Sequence, residues 1–440
     1  MTERESAIQV FKSAITAVQP VQLLQEHLAI NQGTLTICGQ TIPKEAFDHL
    51  YVIGAGKAAA AMATETEKIL GDLISDGLVT TKYGHALPTQ KIKIIEAAHP
   101  VPDEKGVAAV AETLALLEKV TEKDIVICLI SGGASALWCD VPAGAKLFEV
   151  QTTFDLLIRS GAAIHEINTV RKHLSAIKGG QLIRHCRGAR VFSLIISDVP
   201  GDDLGVIASG PTVPDASSFQ DAHAILSKYN LVQQLPQSIQ QHIEGGRKGR
   251  IGDTPKPGDP LFRRTTNAII GSNRIAVEAA AKKAMALRYH THIIPALITG
   301  DAAAEARKLV EAAIQYKGPK PACLIQGGET TVQVTGRGKG GRNQHFALTA
   351  LQELSKLHDK NRAGHITILS GGTDGTDGPT DATGAVVDQE TINLAAQKNL
   401  DIAAYLNSHD AYPFLELTSS LVITGPTQTN VMDIMIALIQ

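Results

Sequence analysis

Aromatic residues are scarce in this chain, 4% of its 440 residues with a single tryptophan. That scarcity speaks against the aromatic cross-strand pairs of an all-β sandwich and for close packing of small aliphatic side chains between helices and a sheet. Cysteine is also sparse. Cys38, Cys128, Cys139, Cys186 and Cys323 are scattered without Cys-x-x-Cys spacing, and two of them lie inside apolar strand-like runs. This excludes a disulfide scaffold, argues against a zinc site, and reads as buried thiols of a cytoplasmic protein. No apolar run approaches the ~18 residues of a membrane span. The opening stretch MTERESAIQVFKSAITAVQP carries charges among its apolar positions and reads as an amphipathic surface helix, not a signal peptide. Neither sign of charge is in surplus, since 41 Lys and Arg face 44 Asp and Glu. A nucleic-acid partner is therefore not expected.

What the chain does have is length, with 44% hydrophobic residues and an alternation of apolar runs with Ala-rich helical patterns. HLYVIGAG precedes KAAAAMATETEKIL, DIVICLISGG precedes a helical stretch to about residue 165, and RVFSLIISD precedes a long loop. Alternating units of this kind predict a mostly parallel sheet covered on both faces. Residues 242–264 are rich in Gly, Pro and charge with no periodicity, and read as a linker. The pattern restarts at TTNAIIGSN and RIAVEAAAKKAMAL, with strands expected at THIIPALIT, PACLIQGG, TTVQVTG, HITILSGG and LVITGP. The expectation is two α/β domains: a Rossmann-like domain over 1–241, a linker over 242–262, and a second α/β domain over 263–440. Ligands are expected in a cleft between them, at the carboxyl ends of the strands.

Six segments carry chemistry. VIGAGKAAAAMA (52–63) is a strand, a Gly-x-Gly turn at Gly54 and Gly56, and a helix, which predicts an anion at the first helical N–H groups with Lys57 beside it. Gly54, Gly56 and Ala59 also satisfy a dinucleotide fingerprint, but Lys82, not an acid, follows the next strand-like run. SGGAS (131–135) places Ser131, Gly132, Gly133 and Ser135 at a strand end, where they could cap a phosphate. NTVRKHLSAIKGG puts Arg171, Ser175 and Lys178 on one helical face able to grip an anion, or simply a solvated one. SDVPGDD gives Asp198, Asp202 and Asp203, candidates for holding metal or accepting a hydroxyl proton. QGGETTVQVTGRGKGGRNQ (326–344) joins Gly327, Gly328 and Glu329 at a strand end to Arg337, Lys339, Arg342 and Asn343 in a glycine-dense loop that opens a helix. Its spacing is not that of a Walker A loop. Last, ILSGGTDGTDGPTDATGAVVD (368–388) sets Asp374, Asp377, Asp381 and Asp388 among glycines after an apolar run, natural ligands for Mg²⁺. His99 and His345 are candidate bases, although a lone histidine is more often structural.

Taken together with AAHPVPDEKG, the KPGDP segment, IIGSN and TGPTQTNVMD, these segments resemble the glycerate 2-kinase family of the kind that ends in a MOFRL domain. The resemblance spans nearly the whole chain. It implies transfer of the ATP γ-phosphoryl group to the 2-hydroxyl of D-glycerate with a divalent metal, Mg²⁺, and places the family's functional lysine on Lys57 and its arginine on Arg342. Two departures are His345, where many members have Glu, and Gln428, where Gly is usual. The chemistry of the residues then assigns Lys57 to transition-state charge, Arg342 to the substrate carboxylate or the transferred phosphate, and Asp198 to the hydroxyl proton. Glu329, Asp374 and Asp377 are candidate Mg²⁺ contacts. A nicotinamide-dependent hydroxypyruvate reductase and a sugar-phosphate sensor are the rival readings. Whether the chain acts alone or as a homo-oligomer is left open by the sequence.

Overall fold

A computed structural model describes residues 1–357 and 365–440 and divides the chain into two compact units. One unit is Leu23–Ile270; the other joins Met1–Gln22 to Gly271–Gln440. Both boundaries differ from those expected. The stretch read as a linker belongs to the first unit: helix Gln237–Arg247 runs into it, Ile251 and Phe262 pack against that unit's cores, and the strand Thr265–Gly271 lies at the edge of its sheet. A few apolar side chains suffice to hold a Gly/Pro-rich segment down, and periodicity does not reveal them.

The first unit carries a six-stranded sheet. Numbered along the chain from Leu50–Ala55, its strands lie in the order 3-2-1-4-5-6, with Ile92–Ala97 and Thr265–Gly271 at the two edges. The four pairings among Leu50–Ala55, Asp76–Lys82, Ile92–Ala97, Ile125–Ile130 and Arg190–Ile196 are all parallel. Leu50–Ala55 and Ile125–Ile130 are buried at every residue, as unbroken apolar runs must be when helices cover both faces. This is the Rossmann order, and its switch point falls between those two strands. A separate layer of helices, Leu147–Arg159, Ile164–Lys172, Phe219–Lys228 and Gln237–Arg247, closes around Leu157, Val170, Phe219 and Ile239. A small antiparallel sheet over residues 28–43, absent from the expected strands, precedes the main one.

In the second unit the sheet is mixed. Asp433–Ile439 runs antiparallel to both of its neighbours, Ala322–Thr331 and Ile366–Gly372, and is buried throughout. No strand is expected there, since the six-residue apolar run after Asp433, without alternation, reads equally as buried helix. THIIPALIT splits into His290–Ile293 and Ile298–Asp301, and TTVQVTG is only the tail of Ala322–Thr331 followed by irregular chain. The opening helix Glu3–Ala17, held by a capping box of Thr2 and Glu5, is amphipathic as expected but far from a free surface element. It buries Val10, Phe11 and Ala14, and the Phe11 ring lies where a Cβ on Gly371 would come within 2.6 Å of it. Arg4 pairs with Asp388 at 2.9 Å, so Asp388 caps helix Gln389–Gln397 and anchors the opening helix, and is no part of a ligand site.

Candidate functional site

The two loops at the switch point are stitched to one another. Lys57 N donates to Gly132 O at 2.9 Å and Ala58 N to Ser131 Oγ at 3.0 Å. The amides expected to point at an anion therefore already have protein acceptors, and the Lys57 side chain is what this turn offers a ligand. Gly54 and Gly56 are needed for the stitching itself: a Cβ on Gly54 would stand 2.3 Å from Leu129 O, and one on Gly56 2.1 Å from Ser131 Oγ. The next two residues form a platform. On Gly132 a Cβ would meet Asp198 Oδ2 at 2.0 Å; on Gly133, at φ +83°, it would meet His99 Nε2 at 3.0 Å and Lys57 Cγ at 3.3 Å. Asp198 thus lies against Gly132, and Lys57 and His99 against Gly133.

Beside the platform lies a cavity of about 640 Å³ whose lining includes His99, Gly133, Ser135, Phe148, Phe154 and Arg171. Arg171 is set into its wall by helix Ile164–Lys172. Its Nη1 donates to Ser135 Oγ and to Asn168 Oδ1, both at 3.2 Å, and its guanidinium lies 4.9 Å over the Phe154 ring. Ser209 links the two acceptors, at 2.9 Å from each. Among the described residues no carboxylate pairs with Arg171, and burial lowers its pKa from the ordinary value. His99 is held down to about 4, by burial first and then by Lys57 and Lys82, so its imidazole is neutral near pH 7.

The expected helical face of three residues does not form. The helix ends at Lys172; Ser175 sits in the turn beyond, bonded to Asp140, and the buried Lys178 ammonium donates to Trp138 O. Of the three, Arg171 alone lines the cavity. Asp203 accepts from Gly205 N at 2.8 Å and shapes its turn.

The second unit gathers its own cluster. Arg342 lays its fork on Asp433, Nε to Oδ2 at 2.6 Å and Nη2 to Oδ1 at 2.9 Å, and Nη1 meets Glu329 at 2.7 Å. Burial disfavours the charge, but the Asp433 hydrogen bond and charge, with Glu329 and Asp377, raise the arginine above its usual value. Both Gly328 and Gly372 pair with Asp433 in the sheet, and a Cβ on Gly328 would stand 2.2 Å from Ile298 O. Gly327 faces Asn273, whose Nδ2 holds Val431 O and Asp433 O at 2.8 and 3.0 Å. Asp377 accepts from the backbone N–H groups of Asn343 and Gln344, at 3.1 and 2.8 Å, so it caps helix Arg342–Ser355. Asn343 is buried and receives Ser370 Oγ at 2.7 Å. Lys339 stacks on Tyr412, its Nζ 3.9 Å from the ring centre, while the tyrosine hydroxyl donates to Asp381. His345 stacks on His409. Gln428 stands at φ +62°, keeping a glycine-like backbone at a cost of about 1 kcal/mol.

Asp433, Asn168, Ser209 and Asn273 were not singled out from sequence, although Asp433 closes the TGPTQTNVMD segment and Asn273 closes IIGSN. For a hard cation the donor set fits in part. Asp374 and Asp433 each bring a carboxylate oxygen 3.3 Å from where a Cβ on Gly372 would stand. Among the described residues no three acids, histidines or cysteines gather as a metal cluster. Mg²⁺ is commonly held by one or two carboxylates together with substrate phosphates, and Asp374, whose recorded bond is to Thr376 N at 3.1 Å, suits that role better than the capping Asp377 or the Arg342-bound Glu329.

Among the described residues no helix is long and apolar enough to cross a membrane. Comparison with known proteins matches residues 6–244 to a domain of unknown function, DUF4147, and residues 322–433 to the MOFRL family. A glycerate 2-kinase from Pyrococcus horikoshii is 40% identical over all of this chain and 98% of its own. A protein of Agrobacterium vitis named as a hydroxypyruvate reductase is 38% identical over 90% of this chain and 89% of its own. The crystal structure of a glycerate kinase from Thermotoga maritima superimposes with a TM-score of 0.87 at 37% identity, covering 99% of each chain. The chain belongs to the glycerate kinase family whose members join a DUF4147 region to a MOFRL domain.

Proposed function

We propose that the chain transfers the γ-phosphoryl group of ATP to the 2-hydroxyl of D-glycerate, giving 2-phosphoglycerate and ADP. The observation that carries this reading is Arg171, a half-buried guanidinium hydrogen-bonded to neutral acceptors, beside a platform flanked by Lys57, His99 and Asp198. A half-buried cation with only neutral partners favours an anion beside it, and the carboxylate of a small hydroxy acid matches the guanidinium fork. Names carried by the relatives from Pyrococcus horikoshii and Thermotoga maritima support the same reaction.

Phosphoryl transfer needs position and charge neutralisation more than covalent chemistry. Arg171 fixes the glycerate carboxylate. Asp198 accepts the hydroxyl proton as that oxygen bonds to phosphorus, and Lys57 balances charge on the phosphoryl oxygens as the bond to ADP breaks. Arg342 has its fork filled by Asp433, so the role on the substrate carboxylate passes to Arg171. Mg²⁺, when bound at Asp374, supplies further neutralisation of phosphate charge. Against the reductase reading stands the end of the second strand, where Lys82 occupies the place of a ribose-binding acid.

The test is phosphorus NMR of the product formed from Mg-ATP and D-glycerate. A 3-phosphoglycerate product would overturn the regiochemistry, and oxidation of NADH by hydroxypyruvate without ADP formation would replace the reaction class.

A further inference from the structure

The cavity around Arg171 is divided sharply by chemistry. Phe148, Phe154, Ile158, Val101, Pro100 and Pro102 make much of it apolar; Ser135, Gln151, Thr152, Asp155 and Arg171 are polar, and the His99 ring lies against Gly133 of the platform. Glycerate is a three-carbon acid. With its carboxylate on Arg171 and its 2-hydroxyl directed at Lys57 and Asp198, a single polar group is left over, the 3-hydroxyl. We propose that His99 is the specificity-determining residue that reads this 3-hydroxyl and so separates glycerate from 2-hydroxy acids that lack it. The proposal rests on the glycerate kinase reading above.

Geometry is the first support. Gly133 has no side chain and a φ of +83°, and a Cβ there would collide with the Nε2 edge of His99, so the glycine leaves that edge open beside Lys57. Chemistry is the second. A neutral imidazole offers one donor and one acceptor, which suits a hydroxyl, whereas an imidazolium would suit another anionic group. Lys57 and Lys82 on neighbouring segments, together with burial, hold the ring in that neutral form. A substrate with a methyl group in place of the hydroxymethyl would leave the ring nitrogens unpaired in a partly dry site. Sites built to bond a hydroxyl reject such analogues far more strongly than apolar pockets reject an extra methylene.

The experiment compares D-glycerate with D-lactate, its 3-deoxy analogue, in wild-type protein and in the His99→Ala and His99→Asn variants. Where D-lactate turns over too slowly to follow, its inhibition constant against D-glycerate is measured in wild type and in both variants and compared with the KM for D-glycerate. The expected result is a fall of ~10-fold or more in kcat/KM for D-glycerate in His99→Ala, the size of one lost hydrogen bond to a buried group, with D-lactate unchanged and partial recovery in His99→Asn. Equal losses for both acids would overturn the proposal and make His99 a merely structural ring. Absence of glycerate phosphorylation in the wild type would instead remove the functional reading on which it rests.

Discussion

Arg342 and Asp433 meet fork to fork, with a carboxylate that has no exposed surface beneath a guanidinium that is one-third exposed. Removing one member of a buried pair strands the other, at a cost of about 3 kcal/mol. Asp433→Asn is expected to lower the denaturation midpoint of the second unit, and Arg342→Lys to do so as well, since a point charge cannot span both carboxylate oxygens. Chemical unfolding measures this. Wild-type midpoints in both variants would show that the pair is not holding the strand ends together.

Lys57 reaches the platform from a turn whose amides are already bonded to the neighbouring loop. Lys57→Ala should therefore leave the turn intact and lower kcat by ~10²- to 10³-fold, the loss typical of one group aimed at transition-state charge, with little change in KM for glycerate. Steady-state kinetics separate the two constants. A near-native kcat would return Lys57 to an ordinary solvent-facing residue.

For Asp374 the informative variant is Asn, which preserves the acceptor used by Thr376 N and removes only the charge. The Mg²⁺ concentration giving half-maximal activity should rise severalfold in Asp374→Asn with the fold unchanged. An unaltered metal titration at normal turnover would exclude Asp374 from the metal site.

Asp377 is pushed up to about 6 from an ordinary 3.8, chiefly by burial, with Asp433 adding to it and the amides of Gln344 and Asn343 opposing. A carboxyl raised in the native state binds its proton more tightly when folded. Its contribution to stability is therefore complete below the unfolded value and is lost as pH climbs through about 6. Asp377→Asn cannot titrate, so the Tm of the variant relative to wild type should rise between pH 4 and pH 7. A difference independent of pH would mean that the carboxyl is not so perturbed.

Much of the fold could be read from the sequence because a doubly covered parallel sheet writes itself as apolar runs alternating with Ala-rich helices; Leu50–Ala55 and Ile125–Ile130 are of this kind. Asp433–Ile439 could not be so read, since nothing in a short unbroken apolar run says where in a sheet it inserts. Within the sites, Lys57 was visible through the glycine turn beside it. Asp433 was not, because its importance depends on a partner 91 residues away in the chain. The same blindness made Asp377 resemble a metal ligand: its neighbours in sequence are glycines, but its neighbours in space are the first amides of a helix.

The helix Glu3–Ala17 and the strand Asp433–Ile439 belong to the same compact unit, while Leu23–Ile270 forms a unit continuous in sequence. On a ribosome the continuous unit can close as soon as its last strand emerges, while the strand Asp433–Ile439 is still unmade. Its companion must wait, holding the apolar face of the first helix uncovered until the central strand of its sheet has been made. The interval between the two closures is the period in which a chaperone has most to shield.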